Sequence, residues 1–182
     1  EKDAKKRVRL TVTRGSLWTY VVHDSVALPE NKSRVLIDCG FNVLSEYARE
    51  GEFKKGDCVS IDFERSLEAD IVLKKVPQRS IHERFLFLAY VEKIIDGDTL
   101  WVYINTGMGV WVREKLRLRG IDTPELKVKD GQRAKLFVIR ALAECPFIIV
   151  NTVKSDKYDR YLADIFYRAG ATDREIVAAK GN

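Results

Sequence analysis

FLFLAYVEKIIDGDTLWVYI, residues 85–104, decides how this chain is read. An apolar-rich strand over 85–95 runs into Asp96-Gly97, a strong signal for a tight hairpin turn, and a return strand follows over 99–104. Working outward, residues 105–109 read as a second turn and 110–119 as a third strand. The clearest helix is expected over 132–145, where Ala134, Phe137, Val138, Ala141 and Leu142 fall at i, i+3, i+4, i+7 and i+8, with Pro146 marking its end. Strands over 147–153 and 161–167 come next. Thr172-Asp173-Arg174-Glu175 has the spacing of a capping box and predicts a short helix near the end of the chain.

Residues before 85 form a separate pattern. Strands are expected over 7–13, with Val8, Leu10 and Val12 on one side, and over 16–22, with Trp18 and Tyr20 on one face as core residues. Residues 24–33 read as a loop, 35–38 as a third strand, and 43–50 as a short helix opened by Asn42, with Val43, Leu44 and Tyr47 on one side. Lys55-Gly56-Asp57 is a turn. Val59, Ile61 and Phe63 alternate as a fourth strand, and 71–76 is the fifth. The expected class is mainly β (α+β): a small β-rich domain over 1–78, a linker over 79–85 containing Arg79 and Ser80, and a second domain over 86–182.

The 46% hydrophobic content is enough for a buried core, and no apolar run approaches the roughly 18 residues that span a membrane. The formal net charge is +5, compatible with a polyanionic partner. Basic residues are spread along the chain, so any basic patch must be made by folding; the Lys2–Arg9 run reads as a solvated terminus. Cys39, Cys58 and Cys145 lack CxxC spacing, which argues against a zinc ribbon. At most one bridge, Cys39–Cys58, could form within the first domain, and buried thiols are the favoured reading. His23 and His82 are far apart, which argues against histidine-based nucleases. Trp101 and Trp111 are expected to pack across the hairpin. The chain begins at Glu1, which implies that its native start lies upstream and leaves the compartment, secreted or cytoplasmic, open.

The chemistry concentrates in Asp96-Gly97-Asp98-Thr99, Arg117, Asp122-Thr123-Pro124-Glu125 and Asp156-Lys157-Tyr158-Asp159-Arg160. Carboxylates on consecutive β-elements suit a hard cation, although the EF-hand loop pattern is absent after Asp96. Such an ion polarises a phosphate while a nearby carboxylate orients or deprotonates water. Two arginines framing the carboxylates match the charge gained by a pentacoordinate phosphate. A metal-dependent nuclease is the leading reading.

This series resembles the staphylococcal (micrococcal) nuclease family in order and at close to its spacing, over roughly residues 86–180. The resemblance implies a five-stranded OB-fold β-barrel with packed helices. It also implies a Ca²⁺-dependent nuclease acting on DNA and RNA, with preference for single-stranded substrate. By position, Asp98 and Asp122 would be metal carboxylates and Thr123 a carbonyl ligand. Glu125 would position water or act as general base, Arg117 and Arg160 would stabilise the transition state, and Lys157 and Tyr158 would contact substrate. Asp96 would be a nearby acidic residue outside the ligand set.

The sequence departs from the family in three places. The connection from Pro124 to the helix is short, Asp159 replaces a glycine, and the chain stops at Asn182, before a further helix that the family carries. The alternative reading is a catalytically inactive OB-fold that binds nucleic acid or protein. Nothing in residues 1–84 identifies a ligand or partner for the first domain.

Overall fold

The computed structural model describes residues 15–27, 33–47, 53–66, 71–78, 83–155 and 161–172. Its elements are β1 (Thr19–Ala27), β2 (Ser33–Asp38), β3 (Leu44–Tyr47), β4 (Cys58–Ile61), β5 (Leu73–Lys75), β6 (Leu86–Ile94), β7 (Thr99–Asn105), β8 (Trp111–Leu118), α1 (Lys129–Leu142), β9 (Ile148–Ser155) and β10 (Tyr161–Phe166). The strand expected over 7–13, the helix expected after Thr172 and most of the expected linker lie outside the described residues.

The Asp96-Gly97 hairpin forms as its sequence requires. The N–H groups of Ile95 and Asp96 both donate to the Thr99 carbonyl, at 2.9 and 3.3 Å. From this corner β6, β7 and β8 pair antiparallel in succession. The strand β9 pairs with the other edge of β6 and with β10, and β10 closes the circle by running parallel to β8. The result is a closed five-stranded barrel with α1 between its third and fourth strands, an OB-fold arrangement. Closure leaves the barrel with no unpaired edge.

The first five strands form an antiparallel sheet in the order β3-β2-β1-β4-β5. It packs on the barrel through β6, where Leu86, Phe87, Leu88 and Ala89 are all buried. Alternation would normally send every second side chain to water. Here one side faces the barrel interior and the other meets the first sheet: Phe87 lies 5.7 Å from Phe41 and 6.3 Å from Tyr20, centroid to centroid. Backbone bonds from Trp18 N–H to the Leu86 carbonyl (2.9 Å) and from Phe85 N–H to the Thr19 carbonyl (3.2 Å) join the two sheets. Trp18 donates its indole N–H to the Asn105 carbonyl (3.1 Å), and the buried Tyr20 hydroxyl donates to the Thr106 carbonyl. Both are core residues as expected, although β1 begins only at Thr19 and Trp18 precedes it in a turn with φ 54°, where a strand over 16–22 was expected. The buried apolar residues of sheet and barrel form one cluster. Burial pushes the Tyr20 hydroxyl far above its ordinary pKa, so it stays a donor.

Four expectations in this region and in α1 are corrected. Residues 44–47 are strand β3, paired with β2, where a helix over 43–50 was expected. Asn42 has φ 57°, in the left-handed region, and closes a turn with Gly40 and Phe41; a helix N-cap needs an extended residue there. Residues 24–27 continue β1 into its hairpin with β2, where a loop was expected. Strand β4 ends at Ile61, and Phe63 is exposed in a turn. Helix α1 starts at Lys129, earlier than the expected 132. Its apolar face is only partly covered: Val138 and Leu142 are buried, whereas Phe137 is 70% exposed beside an open apolar groove of about 360 Å³. The three cysteines are free thiols, with Cys39 and Cys58 buried.

Tyr20→Phe leaves the Thr106 carbonyl without its buried donor. The expected outcome is a loss of about 1–3 kcal/mol in unfolding free energy, measured by urea denaturation, with the fold retained.

Candidate active site

The turn that starts β7 also buries a carboxylate. Asp98 is 3% exposed, just past the hairpin corner. Its N–H donates to Asp96 Oδ1 (3.1 Å), which fixes the turn, and its carbonyl accepts from Leu118 N–H (2.7 Å), which ties the turn to the end of β8. An isolated carboxylate at that depth is costly. Four donors compensate: the Thr99 hydroxyl (2.8 Å) and Arg117 Nη1 (2.9 Å) on Oδ1, and the Thr123 N–H (3.0 Å) and hydroxyl (3.2 Å) on Oδ2. Burial by itself would raise the Asp98 carboxyl. The bonds from Thr123 and Thr99 and the charge of Arg117 outweigh it and hold the group below its ordinary pKa.

Arg117 stands on β8 directly across from Thr99. Its guanidinium spans two carboxylates, with Nη1 on the buried Asp98 and Nη2 on Asp122 (2.6 Å), whose side chain is 92% exposed. Burial disfavours its charge, but Asp122, Asp98 and Asp96 more than offset this and raise its pKa. One fork thus links the floor of the site to its rim, a planar geometry that lysine lacks.

Close backbone approach positions the 122–125 segment. A Cβ on Gly97 would lie 2.7 Å from the Ala134 side chain and 2.8 Å from that of Thr123, so only glycine lets the turn, α1 and Thr123 meet. A Cβ on Gly131 would come within 2.1 Å of the Glu125 carbonyl oxygen. The first turn of α1 therefore sits directly on the Pro124-Glu125 backbone. Glu125 itself is exposed, and its side chain makes no hydrogen bond or ion pair with the described residues.

The structure thus gathers Asp96, Asp98, Arg117, Asp122 and Thr123 and leaves Glu125 at the rim. Lys157, Tyr158 and Arg160 lie outside the described residues. The parallel pairing of β10 sets Tyr161 beside Leu116 and Leu162 beside Arg117, so the chain resumes next to the site. Thr123 faces Asp98 through its N–H and hydroxyl. Thr99, quoted with the motif but given no role, is a direct donor to Asp98; a hydroxyl adjacent to a buried acid is the signal that marks it. Gly97 and Gly131 as packing constraints carry no such signal, because their neighbours are remote in sequence.

Among the described residues, no three His, Cys, Asp or Glu side chains converge as a metal cluster. The donor set is two carboxylates bridged by a cationic guanidinium. A hard cation would take the exposed Asp122 and displace a donor from Asp98, both of whose oxygens are already doubly engaged.

Gly131→Ala inverts the usual helix preference. Alanine favours a helix by about 1 kcal/mol over glycine, yet here the methyl group meets backbone. The expected outcome is destabilisation by about 1–3 kcal/mol in chemical denaturation.

Residues 115–181 match the family model described as staphylococcal nuclease homologue. An uncharacterised protein of Methanocaldococcus jannaschii is 35% identical over 101 aligned residues, covering 42% of this chain and 46% of that protein. The chain therefore spans less than half the length of this relative. Over the matched region, which begins in β8 just ahead of Arg117, the chain is similar to the staphylococcal nuclease homologues.

Proposed function

We propose that this chain is a Ca²⁺-dependent nuclease that hydrolyses phosphodiester bonds of DNA or RNA and prefers single-stranded substrate. The observation that carries the reading is the Arg117 fork, held between buried Asp98 and exposed Asp122 at the edge of an OB-fold barrel. The family likeness over residues 115–181 supports the same reaction class.

In this reading Asp98 and Asp122 hold the cation, with the Thr123 carbonyl as a further oxygen. Bound Ca²⁺ supplies neutralising positive charge against the phosphodiester. Every other role belongs to the chain. Thr99 and Thr123 keep Asp98 ionised and fixed in direction. Arg117 turns the N–H groups left over from its bonds to Asp98 and Asp122 toward the phosphate oxygens, and Arg160 adds a second guanidinium. Glu125, whose carboxylate is unengaged among the described residues, orients a water and takes its proton at a carboxylate oxygen. Lys157 and Tyr158 contact a flanking phosphate, and Asp96 holds the turn. The β-rich unit over 1–78 has no catalytic role.

Labelled single-stranded DNA and RNA, incubated with Ca²⁺ or with a chelator, test this reading. Wild type should cut only with Ca²⁺, and Glu125→Gln should lower the rate by roughly 10²–10⁴-fold while the fold is retained. A folded wild type without Ca²⁺-dependent cutting would sink the enzyme reading in favour of a binding module. Arg117→Lys should lower cleavage as well, because lysine keeps the charge and loses the fork.

A further inference from the structure

The outer face of β7 and β8 carries more than the candidate site. Alternation sends Leu100, Val102, Ile104, Leu116 and Leu118 into the barrel core. It leaves Thr99, Trp101 and Tyr103 of β7, and Trp111, Arg113, Lys115 and Arg117 of β8, on the opposite side. Register places Trp101 across from Lys115 and Tyr103 across from Arg113. On β6, Lys93 lies beside Trp101 and Tyr90 beside Tyr103.

Trp101 and Trp111 do not pack on each other as the hairpin pattern suggested. Arg113 lies over the Trp101 ring at 4.1 Å, with Lys115 Nζ at 5.6 Å. Glu92 anchors one edge of that guanidinium, accepting from Nε at 2.8 Å and from Nη2 at 3.1 Å. Trp111 leans on Tyr90 at 5.7 Å and stays 51% exposed, and Tyr103 is 42% exposed. Large aromatic side chains held open to water on a rigid sheet mark an interaction surface.

The charge pattern identifies the partner. Lys93, Arg113 and Lys115 interleave with the aromatics, and Glu92 is spent on Arg113. The β8 row Trp111, Arg113, Lys115, Arg117 leads step by step to the arginine of the candidate site, over about 20 Å of strand. Aromatic faces alternating with cations, on the strands of an OB-fold that end at a phosphate-directed arginine, suit a single-stranded polynucleotide, whose bases stack while its phosphates pair with cations.

We propose that this face is a stacking track for the single strand that flanks the cleaved phosphate. Its bases lie on Trp111, Tyr103 and the flat Arg113, and its phosphates on Lys93 and Lys115. The proposal rests on the nuclease reading and adds the path of the strand on the barrel.

The test is binding of a labelled 12-nucleotide oligothymidylate, chosen at about the middle of the 4–16-nucleotide range of OB-fold sites. Anisotropy and tryptophan fluorescence would be followed in chelator, where binding is read independently of cleavage. Wild type should bind with saturable quenching and should bind the same length of duplex several-fold more weakly. Trp111→Ala combined with Tyr103→Ala, at unchanged melting temperature, should weaken single-strand binding about tenfold or more. Equal affinity in the folded double variant, equal affinity for duplex, or no binding by wild type would overturn the track. Cleavage with Ca²⁺ in a parallel assay separates the two readings. Cutting with unchanged affinity in the double variant removes the track alone. Affinity lost in the double variant, without cutting by wild type, supports the track and removes the nuclease.

Discussion

One buried carboxylate organises the candidate site. Asp98 sits almost wholly out of water, and a bare ion there would be expensive. The fold meets that demand with donors from three places: Thr99 on β7, Arg117 on β8 and Thr123 in the segment that follows β8. Each donor satisfies the carboxylate and is itself fixed by doing so. The need to compensate one charge therefore locks the hairpin turn, two barrel strands and the approach to α1 into a single arrangement. The other arm of Arg117 reaches Asp122, so the same constraint sets the direction of an exposed acid.

The barrel and the first sheet divide the remaining surface. Four consecutive buried residues on β6 face the barrel interior on one side and the first sheet on the other. The Trp18 and Tyr20 bonds to the Asn105 and Thr106 carbonyls pin the 105–109 turn from outside. What stays open is the outer side of β7 and β8, where cations and aromatics stand in a line that reaches Arg117. On β7 and β8, buried core and exposed chemistry thus sit on opposite sides of the same two strands.

Legibility in the sequence followed the range of the interactions. The Asp-Gly turn, the strand runs around it and the helix after Pro124 are local signals, and the structure contains each of them. The supposed helix over 43–50 failed because Val43, Leu44 and Tyr47 fit either period. The choice was made by the left-handed turn at Gly40, Phe41 and Asn42 and by pairing with β2. The apolar stripe of α1 was read correctly as a stripe, but how much of it is covered depends on neighbours distant in the chain, and Phe137 remains open.

The sequence by itself determined which groups are available: the acids, the arginines and the hydroxyls of the turn and of the 122–125 segment, in an order that pairs them on adjacent strands. Their identities and spacing are covalent facts, and period-2 alternation assigns each strand residue to a face. Only the tertiary structure decided that Asp98 is buried while Asp122 is exposed. It alone decided that Arg117 bridges them, that Gly97 and Gly131 are needed for close approach, and that Trp101 lies under Arg113 while Trp111 stays open. Burial, charge compensation and contact all depend on which remote segments arrive beside a residue, and the closure of the barrel fixes that.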